Sequence, residues 1–276
     1  MSAMRSGKGG LTLRQLVAAL APPGTLQSLT AVPEIEFRSA VIDSRLAEPG
    51  GLFIALPGEH RHGREFVQDA FSRGAVAAIM DSPPPEGSCH RLDLRGEPDA
   101  EIDQDWGLPL CLVVPDSLKA LQQAAAYWRR QHSPRVVGIT GSVGKTTSKE
   151  IIATVLAQEY NVLKSEGNYN NEIGLPLTLL HLNSKHERVV LEMGMYDIGE
   201  ITVLAGIALP HVGVVTDVGP VHLERLGTME RIAQAKSELP RALPAASDGG
   251  AAILNADDDR VSAMAKETQA QVFTYG

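Results

Sequence analysis

The sequence predicts an α/β protein of two consecutive domains. The first is an α/β domain over residues 1–115. The second, over 116–276, is a connector helix and a P-loop domain with a doubly wound, mostly parallel sheet. Three observations predict this. The chain has 276 residues, and at roughly 100–200 residues per domain it can bury two cores. After Pro134, apolar strand-like runs alternate with helical patterns, as parallel strands joined by crossover helices require. Finally, the stretch VGITGSVGKTTSKE, Val137 to Glu150, sets a glycine turn and a lysine where a strand passes into a helix.

The elements follow in chain order. Leu13, Leu16, Val17 and Leu20 recur at helical spacing, while Thr12, Arg14 and Gln15 interrupt the apolar run. This favours a short amphipathic helix over a signal peptide, with Pro22-Pro23-Gly24 as its stop. SAVIDS, LFIAL and VAAIMD read as strands, and EFVQDAFSRGA as the helix between the last two. Ser82 to Leu108, rich in Pro, Gly and acids, reads as a long loop or insertion. LCLVVPD is the next strand. Asp116 or Ser117 caps the connector helix, whose Leu118, Leu121, Ala125 and Trp128 share a face. Arg129 and Arg130 suit its C-terminal dipole. Strand RVVGIT, a helix over 145–159, strand RVVLEMG, helix GEITVLAGIA and strand HVGVVTDVG follow. Helix TMERIAQAKSELPRAL, strand AAILNAD, helix DRVSAMAKET and strand QVFTYG complete the pattern. A last strand with no helix after it leads us to expect more protein beyond Gly276.

Composition narrows the function. Apolar residues make up 43% and charged residues 21%, the balance of a soluble globular protein. A formal net charge of −8 argues against nucleic acid as a partner, which needs a basic footprint. No run is long and apolar enough for stable membrane insertion. Cys89 and Cys111 lie in neither a CxxC nor a Cys/His spacing, so two reduced thiols of a cytoplasmic protein are expected.

Six segments could carry chemistry. A phosphate-gripping loop needs converging N–H groups, a lysine, a hydroxyl for a metal and a following helix. Gly141, Ser142, Val143, Gly144, Lys145, Thr146 and Thr147 supply all four. The first glycine of the common G-x-x-x-x-G-K-[ST] spacing would fall at Ile139, so here the turn starts at Gly141. Glu192 ends a strand, where open α/β sheets bind ligands, and its carboxylate could reach a Mg²⁺ held by Thr146. By itself it could equally be a solvated strand-end acid. His222, in TDVGPVHLERLG, is by itself more simply a packed or surface histidine, and Lys236, in AQAKSEL, a solvated helix lysine. EGNYNNEIGLP could be turn formers only, or supply amides to a polar substrate. LNADDD reads as Asx capping by Asp257 or Asp258, which leaves room for binding by Asn255.

Taken in order, TGSVGKTT, GNYNNEIGLP, LEMG, GPVHLE, QAKSE and LNADD resemble the Mur ligase family, most closely its D-alanyl-D-alanine-adding branch. VIDSRLAEPGGLFIALPGE resembles that family's uridine-nucleotide domain. The likeness runs from about Ser39 to Gly276, and only Ser82 to Leu108 lacks a recognisable motif. The resemblance implies an ATP-dependent amide ligase of peptidoglycan precursor synthesis. Such an enzyme joins D-Ala-D-Ala to UDP-N-acetylmuramoyl-tripeptide through an acyl phosphate. It further implies that Lys145 holds the β/γ-phosphates, Thr146 and Glu192 one Mg²⁺, and His222 a second. Lys236 matches a lysine carbamylated in the family, which turns a cation into an anionic Mg²⁺ ligand. Asn255 would lie near adenine, Asp43, Ser44 and Arg45 at the uridine end, and Asn170 and Asn171 near the reacting end.

Two departures stand out. The family commonly has Asp-Gly-His where this chain has His62-Gly63-Arg64, and Asn where Asp217 stands. The family's C-terminal domain is absent from these residues, so the fragment alone is expected to be inactive. A monomer is expected. The alternatives are a sibling ligase that adds a single amino acid, and a non-catalytic nucleotide-binding fragment.

Overall fold

The computed structural model describes residues 9–21, 32–58, 61–83, 89–96, 106–221 and 223–276. Two units form, one from residues up to Trp128 with Leu180–Asn183, the other from Arg129–Leu179 and Ser184–Gly276. Each carries its own parallel sheet.

In the first unit, helix α1 (Leu13–Leu20) opens with a capping box. Gln15 N donates to Thr12 Oγ1, and Thr12 N donates to Gln15 Oε1 at 2.9 Å, satisfying two otherwise orphan donors. Leu13, Leu16 and Val17 are buried as their spacing predicts, while the Pro22-Pro23-Gly24 stop lies outside the described residues. The sheet comprises β1 (Ala40–Val41), β2 (Leu52–Ile54), β3 (Ala77–Met80), β4 (His90–Asp93) and β5 (Leu110–Val113), in the order β1-β2-β3-β5-β4. A 3-10 turn over Gly63–Phe66 leads into α2 (Val67–Ser72), whose Val67 and Ala70 pack with Phe53, Ala78, Met80 and Val113.

Two expectations for this unit need correction. The stretch Ser82–Leu108 is not all loop, because it contains β4, paired parallel to β5. This strand is an edge, and His-Arg-Leu-Asp buries only Leu92, so it has no apolar run to betray it. Cys89 and Cys111 are joined as a disulfide rather than free. Cys89 directly precedes β4 and Cys111 lies on β5, so strand pairing brings together two residues that sequence spacing leaves unrelated.

Helix α3 (Ser117–Arg130) begins at Asp116, whose carboxylate accepts from Lys119 N at 2.9 Å. Leu121, Ala125 and Trp128 are buried. Trp128 Nε1 donates to Leu182 O at 2.8 Å.

The second unit holds the regular βα rhythm. Its elements are β6 (Arg135–Thr140), α4 (Lys145–Leu156), β7 (Val162–Lys164), α5 (Gly174–Leu180), β8 (Arg188–Glu192), α6 (Glu200–Ala208) and β9 (Val212–Val215). Then come α7 (Leu223–Leu226), α8 (Met229–Arg241), β10 (Ala251–Asn255), α9 (Asp259–Ala263) and β11 (Gln271–Tyr275). The order is β11-β10-β9-β6-β8-β7 and every pair is parallel. Sequence patterning passed over β7, a three-residue edge strand with one buried side chain. Val137, Ile139, Val190 and Val214 form the core beneath α4, closed from the helix by Ala153.

This strand order positions the site. From β6 the chain moves outward to β7, returns to β8, then crosses to β9 on the other side. The carboxyl ends of β6, β8 and β9 therefore open on a crevice at a topological switch point, the usual ligand position in such sheets.

Candidate functional site

The register of β6 with its neighbours determines what meets in that crevice. Ile139 lies opposite Glu192 on β8, and Thr140 opposite Val215 on β9. Gly141 follows with φ +152°, and a Cβ there would lie 1.8 Å from Thr216 Oγ1. The displaced first glycine is thus a steric requirement set by Thr216, the residue that follows β9. Gly144, at φ +83°, turns the chain into α4, whose first N–H groups have no intrahelical acceptor and face outward from the helix end.

The loop is held shut by its own groups. Lys145 Nζ donates to Gly141 O at 2.7 Å and to Ser142 O at 3.3 Å. Asp217 Oδ1 accepts from Ser142 N at 2.7 Å and Val143 N at 2.8 Å. The Thr216 hydroxyl donates to Val143 O at 2.6 Å, and Gly219 N to Ser142 Oγ at 2.8 Å. Thr147 lies beyond in the first turn of α4 and is exposed.

Glu192 is 3% exposed, and side-chain donors satisfy both its carboxylate oxygens. Thr146 Oγ1 donates to Oε2 at 2.8 Å, and Asn170 Nδ2 to Oε1 at 2.8 Å. Thr146 and Glu192, expected from the sequence to share a Mg²⁺, are in direct hydrogen-bond contact. Asn170 O also accepts from Gly194 N at 2.7 Å, tying the asparagine loop to the end of β8. Asn171 serves the fold as well, since its Oδ1 accepts from Gly174 N at 2.9 Å and so caps α5.

Lys236 overturns the solvated-lysine reading, since it is 2% exposed on α8. Burial, and then the Lys145 charge, push its ammonium down to about 7, with Asp217 opposing the shift. It lines a cavity of about 80 Å³ together with Lys145, Asn170, Asn171, Tyr196 and Glu200. Val221 also lines the cavity, whereas His222, the next residue, lies outside the described residues. Asn255 is engaged in the fold: its Nδ2 donates to Thr216 O at 2.8 Å and its Oδ1 accepts from Asp257 N at 3.0 Å. Asp258, not Asp257, caps α9.

In the first unit, Asp43 accepts from Arg45 N at 3.0 Å and pairs with the Arg45 guanidinium, which holds its carboxyl below the usual range. Ser44 Oγ donates to Asp69 Oδ2 at 2.7 Å. His62 caps the 3-10 turn through Nδ1, and its Nε2 lies 3.2 Å from Asp81 Oδ2. Motif reading missed Tyr196, Glu200 and Lys149. Glu200 alone had a sequence signal, as an acid opening a helix just past the L-E-M-G strand end. Lys149 is fully buried on α4 and reaches Gly167 O at 3.4 Å.

A glycine turn between a central strand and a helix, faced by a buried acid at the end of the neighbouring strand, defines a P-loop α/β protein. The chain belongs to the Mur ligase family: the Mur ligase middle domain matches residues 139–276, and a Mur ligase family catalytic domain matches 36–90. It is similar to the UDP-N-acetylmuramoyl-tripeptide–D-alanyl-D-alanine ligases of Synechocystis (40% identical, 91% of this chain, 51% of that protein) and Bacillus subtilis (41%, 71% and 39%). Among solved structures, MurF from Acinetobacter baumannii aligns with a TM-score of 0.76 at 31% identity, covering 97% of this chain and 53% of that one. MurF ligase from Thermotoga maritima in complex with ADP aligns at 0.68 and 31%, covering 85% and 50%. The chain spans about half the length of the curated relatives it matches.

Proposed function

We propose that the chain carries the nucleotide-handling parts of an ATP-dependent ligase that joins D-Ala-D-Ala to UDP-N-acetylmuramoyl-tripeptide. The observation that carries this reading is the convergence of Lys145, Asn170 and buried Lys236 on one cavity, with Asn170 hydrogen-bonded to Glu192 and Glu192 to Thr146. The names of the similar proteins supply the substrates, and the ADP complex of the Thermotoga maritima relative supports a nucleotide at the loop. Residues 1–115 take the uridine end, with Asp43, Ser44 and Arg45 in contact, and residues 116–276 take ATP. The protein works as a monomer in the cytoplasm.

The reaction brings an anionic carboxylate to an anionic phosphate, so positioned positive charge is what the site must offer. Lys145 leaves the Gly141 and Ser142 carbonyls for the β/γ-phosphates. Asn170 and Asn171 orient the peptide carboxylate, whose oxygen takes the γ-phosphoryl group of ATP as ADP leaves. The amine of the dipeptide then attacks the acyl carbon and phosphate departs. Asn255 holds the loop beside adenine.

The donors fit Mg²⁺. A carboxylate and a hydroxyl already 2.8 Å apart are hard oxygen ligands, suited to an ion that keeps several waters. Thr146 and Glu192 would hold one ion, and His222 with Lys236 a second. Bound Mg²⁺ would neutralise phosphate charge. As an ammonium Lys236 does not fit. As the neutral amine that its lowered pKa makes available, it can add CO₂, release a proton and become a carbamate.

The test is phosphate release by the full-length gene product with ATP, the UDP-muramoyl-tripeptide and D-Ala-D-Ala. Release that depends on the dipeptide is expected. Release driven equally by a single amino acid would favour the sibling reaction, and none with any amine would sink the ligase reading.

A further inference from the structure

The two N–H groups that open the glycine loop are already occupied by an anion, and that anion belongs to the chain. Ser142 N and Val143 N converge on Asp217 Oδ1 at 2.7 and 2.8 Å. Successive backbone N–H groups aimed at one oxygen form an anion nest, the device by which such loops hold phosphate. Residues 216–219 grip the loop on both sides of this contact, through Thr216 to Val143 O and Gly219 to Ser142. The lysine that should meet a phosphate is spent on Gly141 O and Ser142 O. Ser142 N, Val143 N and the Lys145 ammonium are therefore satisfied internally, with a carboxylate in the place where a phosphate oxygen would compete.

A neutral amide could accept the same two hydrogen bonds through its carbonyl oxygen. The hydrogen bonds themselves do not need the charge, and the charge has a separate effect. A phosphate entering the loop comes close to a fixed negative group, and like charges in a partly solvated site repel. A divalent cation cancels much of the phosphate charge and hence most of that repulsion.

We propose that Asp217 sets the metal-dependence of nucleotide binding: its carboxylate competes with phosphate for the loop, so that metal-free nucleotide is selectively disfavoured. This rests on the reading that the loop holds a nucleotide.

The experiment is calorimetric titration of ADP into wild type, Asp217→Asn and Asp217→Ser, each with Mg²⁺ and with a chelator, and each checked for an unchanged melting transition. Asp217→Asn keeps the acceptor and removes the charge, and Asp217→Ser removes the charge with a smaller side chain. Metal-free ADP is expected to bind both variants roughly tenfold more tightly than wild type, about 1.4 kcal/mol, while MgADP changes less than about threefold. Metal-free affinity that is unchanged or weakened in both variants, with MgADP binding intact, overturns the role of Asp217 and leaves the nucleotide site standing. No MgADP binding by wild type overturns both.

Discussion

At the residue scale, the two groups that say most about the site are Lys236 and Gly141, and neither spoke clearly in the sequence. An Ala-rich helix with one lysine looks solvated. Only the packing of α8 buries it, and a one-dimensional pattern does not show where a helix face lands. Its ammonium is pushed down to about 7 from an ordinary value near 10.4. Between those values the unfolded chain binds a proton that the fold releases, so stability should rise with pH across that window, by about 1.4 kcal/mol per unit at most. Below about 7 both states are protonated and the slope vanishes. Denaturant titrations in CO₂-free buffer should show this rise for wild type and its loss in Lys236→Met. Gly141 was legible as a turn residue, but its reason was not, because the atom that forbids a side chain is Thr216 Oγ1, 75 residues later in the chain. Gly141→Ala adds a clash to a conformation that already disfavours L side chains. It should lower stability by roughly 2 kcal/mol or more and weaken MgADP binding, both read in one calorimetric series. An alanine variant with wild-type stability would mean that Thr216 yields easily.

At the element scale, strand and helix identity were legible wherever apolar runs were long. β6, β8 and β9 announced themselves because a strand covered on both faces must be nearly all apolar. β4 and β7 did not, since an edge strand can be short and polar. The Asn-rich segment was legible as the approach to α5, yet its reach to Glu192 depends on the placing of β8. Arg129 shows a further limit. Its position suited the dipole of α3, but the side chain turns inward, donating to Ala208 O at 2.8 Å and Leu209 O at 3.3 Å at the C-terminus of α6, and to His132 O at 2.9 Å. It thereby supplies a cation to a helix end with unpaired carbonyls. Arg129→Met should leave the buried Ala208 carbonyl without its donor and cost about 1–3 kcal/mol, measured by urea unfolding. A cost within about 0.5 kcal/mol would show that it finds another partner.

At the scale of the whole molecule, the parallel sheets and the crevice at the switch between β8 and β9 follow from strand order, and strand order follows from the βα rhythm. The rhythm was readable in the sequence. So was the order of the six motifs: five stand at the ends of β6, β7, β8, β9 and β10, on one edge of the sheet, and QAKSE on α8 brings Lys236 to the cavity there. What could not be read was the occupancy of the loop, with Asp217 on its N–H groups and Lys145 on its carbonyls, since both are contacts between turns that share no local pattern. The central proposal is that this edge activates a carboxylate by phosphorylating it. The most direct measurement uses UDP-muramoyl-tripeptide labelled with ¹⁸O in its reacting carboxylate, turned over by the full-length gene product with ATP and D-Ala-D-Ala. Amine attack on the acyl phosphate breaks its acyl carbon–oxygen bond and expels phosphate, so each ligation should deliver one ¹⁸O into the released phosphate. Phosphate that carries no ¹⁸O, formed alongside ligated product, would contradict the account.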